Sequence, residues 1–507
     1  YTTLFRSPRT PNIAVFRLMA CCLLSGLAAA LLGAGCARTA TKTGVVPSGV
    51  GFSMDAVKEI FGSYSEGNFQ NRAWPDAFQA MHQKLSREYA FTDWKKIDWD
   101  VLYDTHAPLV EAAELAQDDK AYYLALRSYL FSIPDSSLGI TTPETYREEA
   151  IGGGYGFSVA PMEDGRIRVV QVEPGFFADM AGIKWGAEII QWNDLPVAKA
   201  LEQTSLLWND TPCATRECRL LKQCALLTRA PVGTTVSVMF RNLDSESVWV
   251  TRLEARRDSY KTLSDPLQQE ISFSEFDSPM VDKVLDGGIG YMKLHGQTAT
   301  LATPFPARAF RRIVERFLDD DVNGLIVDLR GNVGGLDDLA ASYAGHFMQT
   351  PMFYRDQVAF DYAKGGFALN KAASITIEPR TPCFTGPVMV LIDYSTRGNS
   401  QALADSLHEL PNVTLVGASG TDGSWALPGG KITMPQGYVI SYPIGRMLDE
   451  SGSIRITAKA DLESPVKPDI LLPLTLEACR AFFQDGRDVL LDKALEEIKA
   501  RNTVTSS

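Results

Sequence analysis

The sequence predicts a multidomain α/β protein, and three observations carry that prediction. Short apolar runs alternate with helical patterns between Gly324 and Gly430, which implies βαβ units and a parallel sheet. A helical region precedes this core, and glycine turns with period-two apolar runs lie between the two. The 507 residues are 45% hydrophobic, ample for several packed cores. The formal charge of −12 argues against nucleic acid as a partner.

The core elements follow in order. Gly288-Ile289-Gly290-Tyr291-Met292-Lys293-Leu294 starts the core as a strand closed by His295. Phe310, Ile313, Val314, Phe317 and Leu318 mark an amphipathic helix. Gly324 to Leu329 is a buried strand by composition, followed by the glycine turn Gly331-Asn332-Val333-Gly334-Gly335. Leu336, Leu339, Ala340, Tyr343 and Phe347 then recur at helical spacing. A second strand, Val388 to Ile392, ends at Asp393, and the loop Tyr394-Ser395-Thr396-Arg397 opens a helix near Gly398. A third, Val413 to Val416, ends at Gly417. A polar loop leads on to Leu427-Pro428-Gly429-Gly430. In such a sheet, chemistry is expected beyond the carboxyl ends of the strands. Asp319, Asp321, Asn323 and Gly324 mimic the start of a calcium loop. Its twelfth position is Arg330 and the run is a strand, so calcium is rejected.

Asp328-Leu329-Arg330-Gly331-Asn332-Val333-Gly334-Gly335 resembles the D-L-R-x-N-x-G-G signature of the S41 serine peptidases. That family holds the tail-specific or C-terminal-processing proteases and the tricorn core. Asp393 to Ala402 is similar to its nucleophile loop, and Val466-Lys467-Pro468-Asp469-Ile470 to its closing motif. The resemblance runs from residue 54 to 500 in the family's order and implies a ClpP/crotonase-like protease core over 286–500. Acyl transfer needs a nucleophile, a base and donors aimed at the developing oxyanion. By resemblance, the oxyanion donors are the amides of Gly334 or Gly335 and of Asn399.

The family's nucleophile falls two places after Thr396, at Gly398, which has no hydroxyl. Ser400 is the only fallback. A two-residue step turns a helical side chain by about 200°, so a first-turn or capping role fits it better. Tricorn-like members carry a histidine in a D-x-H motif, and here Ser137 of Ile133-Pro134-Asp135-Ser136-Ser137 takes that place. The tail-specific branch uses a lysine after the third strand. Ala418-Ser419-Gly420-Thr421-Asp422-Gly423-Ser424 holds none, and Lys431 is the nearest. Both routes to an activated serine read as lost.

The chain opens on Tyr1, as expected of a fragment or an upstream misread start. Arg6, Arg9 and Arg17 precede an apolar run from Leu18 to Leu32, so 1–36 reads as a secretory signal peptide. Gly33-Ala34-Gly35-Cys36 is similar to a bacterial lipobox, with a possible lipid anchor at Cys36; simple cleavage near Ala37 is the other reading. Export to the periplasm, free or as a membrane-anchored lipoprotein, follows. Residues 37–53 read as a tether and 54–148 as an N-terminal helical domain. In the latter, Phe78, Met81 and Leu85 form one stripe, and Tyr122, Leu126, Tyr129, Leu130 and Ile133 another. His82, His106 and His295 read as structural or surface residues, and no metal or cofactor is expected.

Over 150–257, Gly153-Gly154-Tyr155-Gly156-Phe157 resembles the carboxylate-binding loop of PDZ domains, and Val172 to Asn193 matches their remaining hallmark. An extended peptide would add to the sheet edge, with the amides of Tyr155, Gly156 and Phe157 capturing its terminal carboxylate. Residues 201–230 read as an insert carrying Cys213, Cys218 and Cys224, whose pairing stays open. Residues 258–285 read as a polar linker. The whole implies an S41 homologue of the bacterial envelope that binds protein C-termini and is impaired because Gly398 replaces the nucleophile. An active serine endopeptidase using a site such as Ser400, and an envelope scaffold or assembly factor, are the alternatives.

Overall fold

A computed structural model describes residues 65–263 and 274–505. The expected signal peptide, Cys36 and the tether lie outside the described residues. Among the described residues, no helix is long and apolar enough to cross a membrane.

The core sheet has six strands in the order Met280–Leu285, Ile289–Leu294, Leu325–Asp328, Val388–Ile392, Val413–Gly417 and Ile470–Leu471. The first pair is antiparallel and every later pair parallel. Alternation along each strand sends its residues to two faces. Met292, Leu294, Leu325, Val327, Val388 and Val390 join the large core beneath helices Pro306–Asp319, Asp337–Ala344 and Asn399–His408. Tyr291, Ile326, Met389 and Leu391 face Leu490, Ala494 and Ile498 of the closing helix Val489–Thr505. The sheet starts earlier than the sequence suggested. Met280–Leu285, assigned to the polar linker, is its edge strand, and its partly exposed residues explain the polar pattern.

Helices Trp74–Glu88, Trp99–Ala116 and Asp119–Phe131 form the N-terminal helical region, with Phe78, Met81, Leu85, Leu126 and Tyr129 buried. Asp98 and Asp118 cap the second and third helices by accepting from Val101 N and Ala121 N. The region is not wholly helical: strand Ser65–Asn68 runs parallel to Ala426–Thr433 in a seven-stranded sheet.

Residues 153–257 build a separate antiparallel sheet, ordered Trp249–Glu254, Thr235–Arg241, Glu188–Trp192, Ile167–Val172 and Phe157–Pro161. The expected insert at 201–230 is not an interruption. Helix Arg216–Leu227 packs beside the end strand Phe157–Pro161, and its Cys224 and Leu227 share an apolar cluster with Phe157 and Val159. Arg229–Ala230 then pairs with Gly153–Gly154. The three cysteines of 201–230 and the exposed charges of Arg216, Glu217 and Arg219 made the segment read as foreign to the sheet.

Candidate active site

Two turns meet at the carboxyl ends of the core strands. The Asp393 carboxylate accepts from Gly331 N (3.1 Å), Ser395 N (3.0 Å) and Thr396 N (2.8 Å), which ties the glycine turn to the loop before Gly398. Asn332 locks the glycine turn from inside. It donates Nδ2 to Leu294 O (2.9 Å) and accepts from Gly334 N through Oδ1 (2.9 Å). Asn399 Nδ2 donates to Gly335 O at 2.7 Å. Gln297 clamps the far side: its N–H donates to Gly334 O (3.1 Å), and its carbonyl accepts from Leu336 N (2.8 Å).

Beneath the turn, Asp328 is fully buried. Burial alone would raise its pKa, but the Arg330 guanidinium and the Lys293 ammonium hold it well below the usual carboxylate range. Arg330 bridges it to Asp488 at 2.6 Å. This ion network fixes the strand end from which the turn departs.

Gly398 is partly exposed and has φ 57° and ψ −133°, a left-handed conformation that side chains rarely adopt. It is the N-cap of helix Asn399–His408, and its N–H donates to Ser424 O at 2.9 Å. A Cβ built on Gly334 would lie 3.0 Å from Asn399 N, so the two backbones nearly touch. Gly334 N is committed to Asn332. The N–H groups of Gly335 and Asn399 have no acceptor among the described residues. The structure therefore brings Gly334, Gly335, Gly398 and Asn399 together, and leaves two donors open beside a position with no hydroxyl.

The facing side is closed. Ser137 is half-buried, and its N–H donates to Asp135 Oδ1 at 2.9 Å. Asp135 also accepts from Tyr89 Oη at 2.7 Å. Ser136 donates its hydroxyl to Asp422, and its N–H to Ser424 Oγ at 3.2 Å. Lys95, 3% exposed, donates Nζ to Pro134 O (2.7 Å) and Ala458 O (3.2 Å). Burial lowers its pKa against the opposing charges of Asp135 and Asp422, and burial raises that of Asp422 against Arg397. Lys95, Ser136 and Asp422 were not singled out in the sequence. They lie in three distant segments, and the loop holding Asp422 was read only for a lysine.

The fallback serine is in the wrong place. Ser400 has no exposure, and its hydroxyl has no hydrogen-bond partner among the described residues. A buried hydroxyl without a base cannot meet a peptide bond. Lys431 lies on strand Ala426–Thr433 and pairs with Glu66 at 3.4 Å. His295 closes its strand with its N–H on Pro279 O, and burial followed by Lys293 lowers its pKa. His82 contacts Tyr129 Oη, and His106 contacts Leu102 O.

In the expected peptide-binding loop, Gly156 has φ +87°, and a Cβ there would lie 2.6 Å from Phe176 Cβ. The side chains of Tyr155 and Phe157 are buried against Trp192. Only their backbone remains for a ligand.

Residues 288–472 match the family model "Peptidase family S41". The chain carries a peptidase family S41 domain. Over 358 residues it is 22% identical to carboxyl-terminal-processing peptidase 1, chloroplastic, of Arabidopsis thaliana, covering 68% of this chain and 61% of that protein. Over 304 residues it is 25% identical to the carboxy-terminal processing protease CtpA of Bacillus subtilis, covering 59% and 54%. The chain thus spans 61% and 54% of the length of these two curated relatives. Its fold is similar to that of mature CPAF complexed with lactacystin, with a TM-score of 0.58 at 15% identity, over 86% of this chain and 98% of that one.

Proposed function

We propose that this S41 protein is a catalytically impaired member of its family that binds protein C-termini. The single observation that carries the reading is Gly398: it stands beside two open amide donors, where a nucleophile would attack a carbonyl whose oxygen becomes the oxyanion, and it has no side chain. The closed cluster of Lys95, Ser136 and Asp422 supports it, because the buried Lys95 ammonium is committed to the carbonyls of Pro134 and Ala458 and Ser136 to Asp422. Peptide binding falls to the sheet of residues 153–257, here read as a PDZ domain. Strand Phe157–Pro161 ends the sheet beside helix Arg216–Leu227, and Gly156 turns the preceding loop in a left-handed conformation. The apolar run after Arg17 supports export to the bacterial envelope, as does the lipobox-like Cys36 for anchoring. The active alternative built on Ser400 is not retained, because that serine is buried.

A peptide titration tests the reading. Peptides ending in a free carboxylate should bind, and the same peptides amidated at the C-terminus should bind at least about tenfold more weakly. Gly156→Ala should abolish the difference. Equal binding of both peptide forms, or cleavage of either by the native protein, would overturn it.

A further inference from the structure

The turn that leads into helix Arg216–Leu227 holds two thiols side by side. Cys213 Sγ and Cys218 Sγ are 2.8 Å apart, and both are buried. Thr215, between them, caps the helix by accepting from Cys218 N at 3.4 Å. The third cysteine of the segment is excluded as a partner. Cys224 has no exposure and sits in the apolar cluster of Phe157 and Val159, whereas Cys213 and Cys218 pack with Leu221 and Tyr394.

That second cluster reaches the cleft. Tyr394 belongs to the loop between Asp393 and Gly398, and Lys222 of the same helix lies 5.4 Å over its ring. Arg216 N donates to Leu462 O at 2.9 Å, and a Cβ on Gly423 would lie 3.1 Å from Thr215 Cγ2. The thiol turn therefore seats on the loop that carries Asp422. Upstream, residues 204–215 form no helix or strand. They are held from the far side by Arg127, whose guanidinium donates to the carbonyls of Leu207 and Asn209.

We infer that Cys213 and Cys218 are a reversible dithiol–disulfide pair, which when oxidised staples the 204–215 segment to the first turn of the helix and tightens the loop from Tyr394 to Gly398. The oxidant is a small-molecule disulfide. A cysteine thiolate attacks one of its sulfurs and expels one thiol. The second cysteine then attacks the resulting mixed disulfide and expels the other. Two cysteine protons are lost, the pair is oxidised by two electrons, and the oxidant leaves as two thiols. The hydrogen bond to Cys213, followed by burial, pushes the Cys218 thiol well above its ordinary pKa. Exchange therefore proceeds from an opened 204–215 segment, whose Asp210 side chain is already 86% exposed.

The full chain is equilibrated in mixtures of reduced and oxidised glutathione, quenched in acid, alkylated and mapped by mass spectrometry. One intramolecular Cys213–Cys218 link is expected, with Cys224, Cys383 and Cys479 alkylated. Hydrogen exchange of 204–215 and 394–398 should slow by about tenfold in the oxidised form, and Cys213→Ser should remove that change. Cys224→Ser should keep both the link and the slowing, which separates the pair from a general effect of losing a cysteine. Alkylation of both Cys213 and Cys218 throughout the series, or a link to Cys224, would overturn the assignment. A correct link that leaves 394–398 exchange unchanged would overturn the coupling to the cleft.

Discussion

Around Gly398, the turn Gly331–Gly335 presents backbone, whereas the facing segments around Ser136 and Asp422 present buried side chains. The first region depends on atoms every residue carries, positioned by glycines, Asn332 and Asp393. The second depends on side chains: Ser136 donates to Asp422, Asp135 accepts from Ser137 N, and Lys95 donates to Pro134 O. The difference shows that a turn held through backbone atoms tolerates changes of side chain that a cluster of buried side chains does not. The glycine turn also joins the strand ends, so losing it would cost stability, while the facing segments need only close their own hydrogen bonds.

The largest effect should come from the backbone side. A Cβ on Gly335 would lie 2.1 Å from Gln297 O, a clash that only a backbone shift relieves. Gly335→Ala should lower stability by about 4 kcal/mol or more, read from the midpoint of chemical denaturation. A near-neutral result would mean that the turn is not fixed as described.

Next comes the ion network below the turn. Asp328→Asn removes the buried charge that faces Arg330 and Lys293, and should cost about 3 kcal/mol. The folded pKa of Asp328 is depressed. Its stabilisation is therefore complete above the unfolded carboxylate value of about 3.9, and is lost as pH falls toward the folded value. Stability measured from pH 7 down to pH 2 should drop in the native protein, and that component should vanish in the variant.

At Asp422, on the facing side, the sign reverses. Burial raises the folded pKa of Asp422, so the folded state binds more protons there than the unfolded state. Its contribution therefore decreases as pH rises from about 3.9 through the raised value. Asp422→Asn should cost less than Asp328→Asn and should flatten this component. Opposite pH slopes of the native-minus-variant stability differences would sharpen the contrast between the regions, and parallel slopes would break it.

The sheet was legible because its strands are short apolar runs punctuated by glycine, and their bounds at Val388–Ile392 and Val413–Gly417 follow the apolar residues closely. The approach of Gly334 and Gly335 to Asn399 was legible only through the family motif. On the facing side the family motifs marked only Ser137 and the loop 418–424, and the contacts of that cluster were not legible. Lys95 meets Pro134 and Ala458 across 39 and 363 positions of sequence, and no local pattern records such contacts. Helix Arg216–Leu227 was taken for an insert because its buried stripe is completed by a sheet that sequence periodicity does not reveal.

The most direct test of the proposed impairment is fluorophosphonate labelling of the native protein beside a Gly398→Ser, Ser137→His double variant. Adducts are mapped by mass spectrometry. Gly398 sits at φ 57°, so serine there carries strain of about 1–3 kcal/mol, which the fold must tolerate for the comparison to be read. The native protein should stay unlabelled at every serine, and the double variant should label at position 398. A specific adduct on any serine of the native protein would show an activated nucleophile and contradict the central claim.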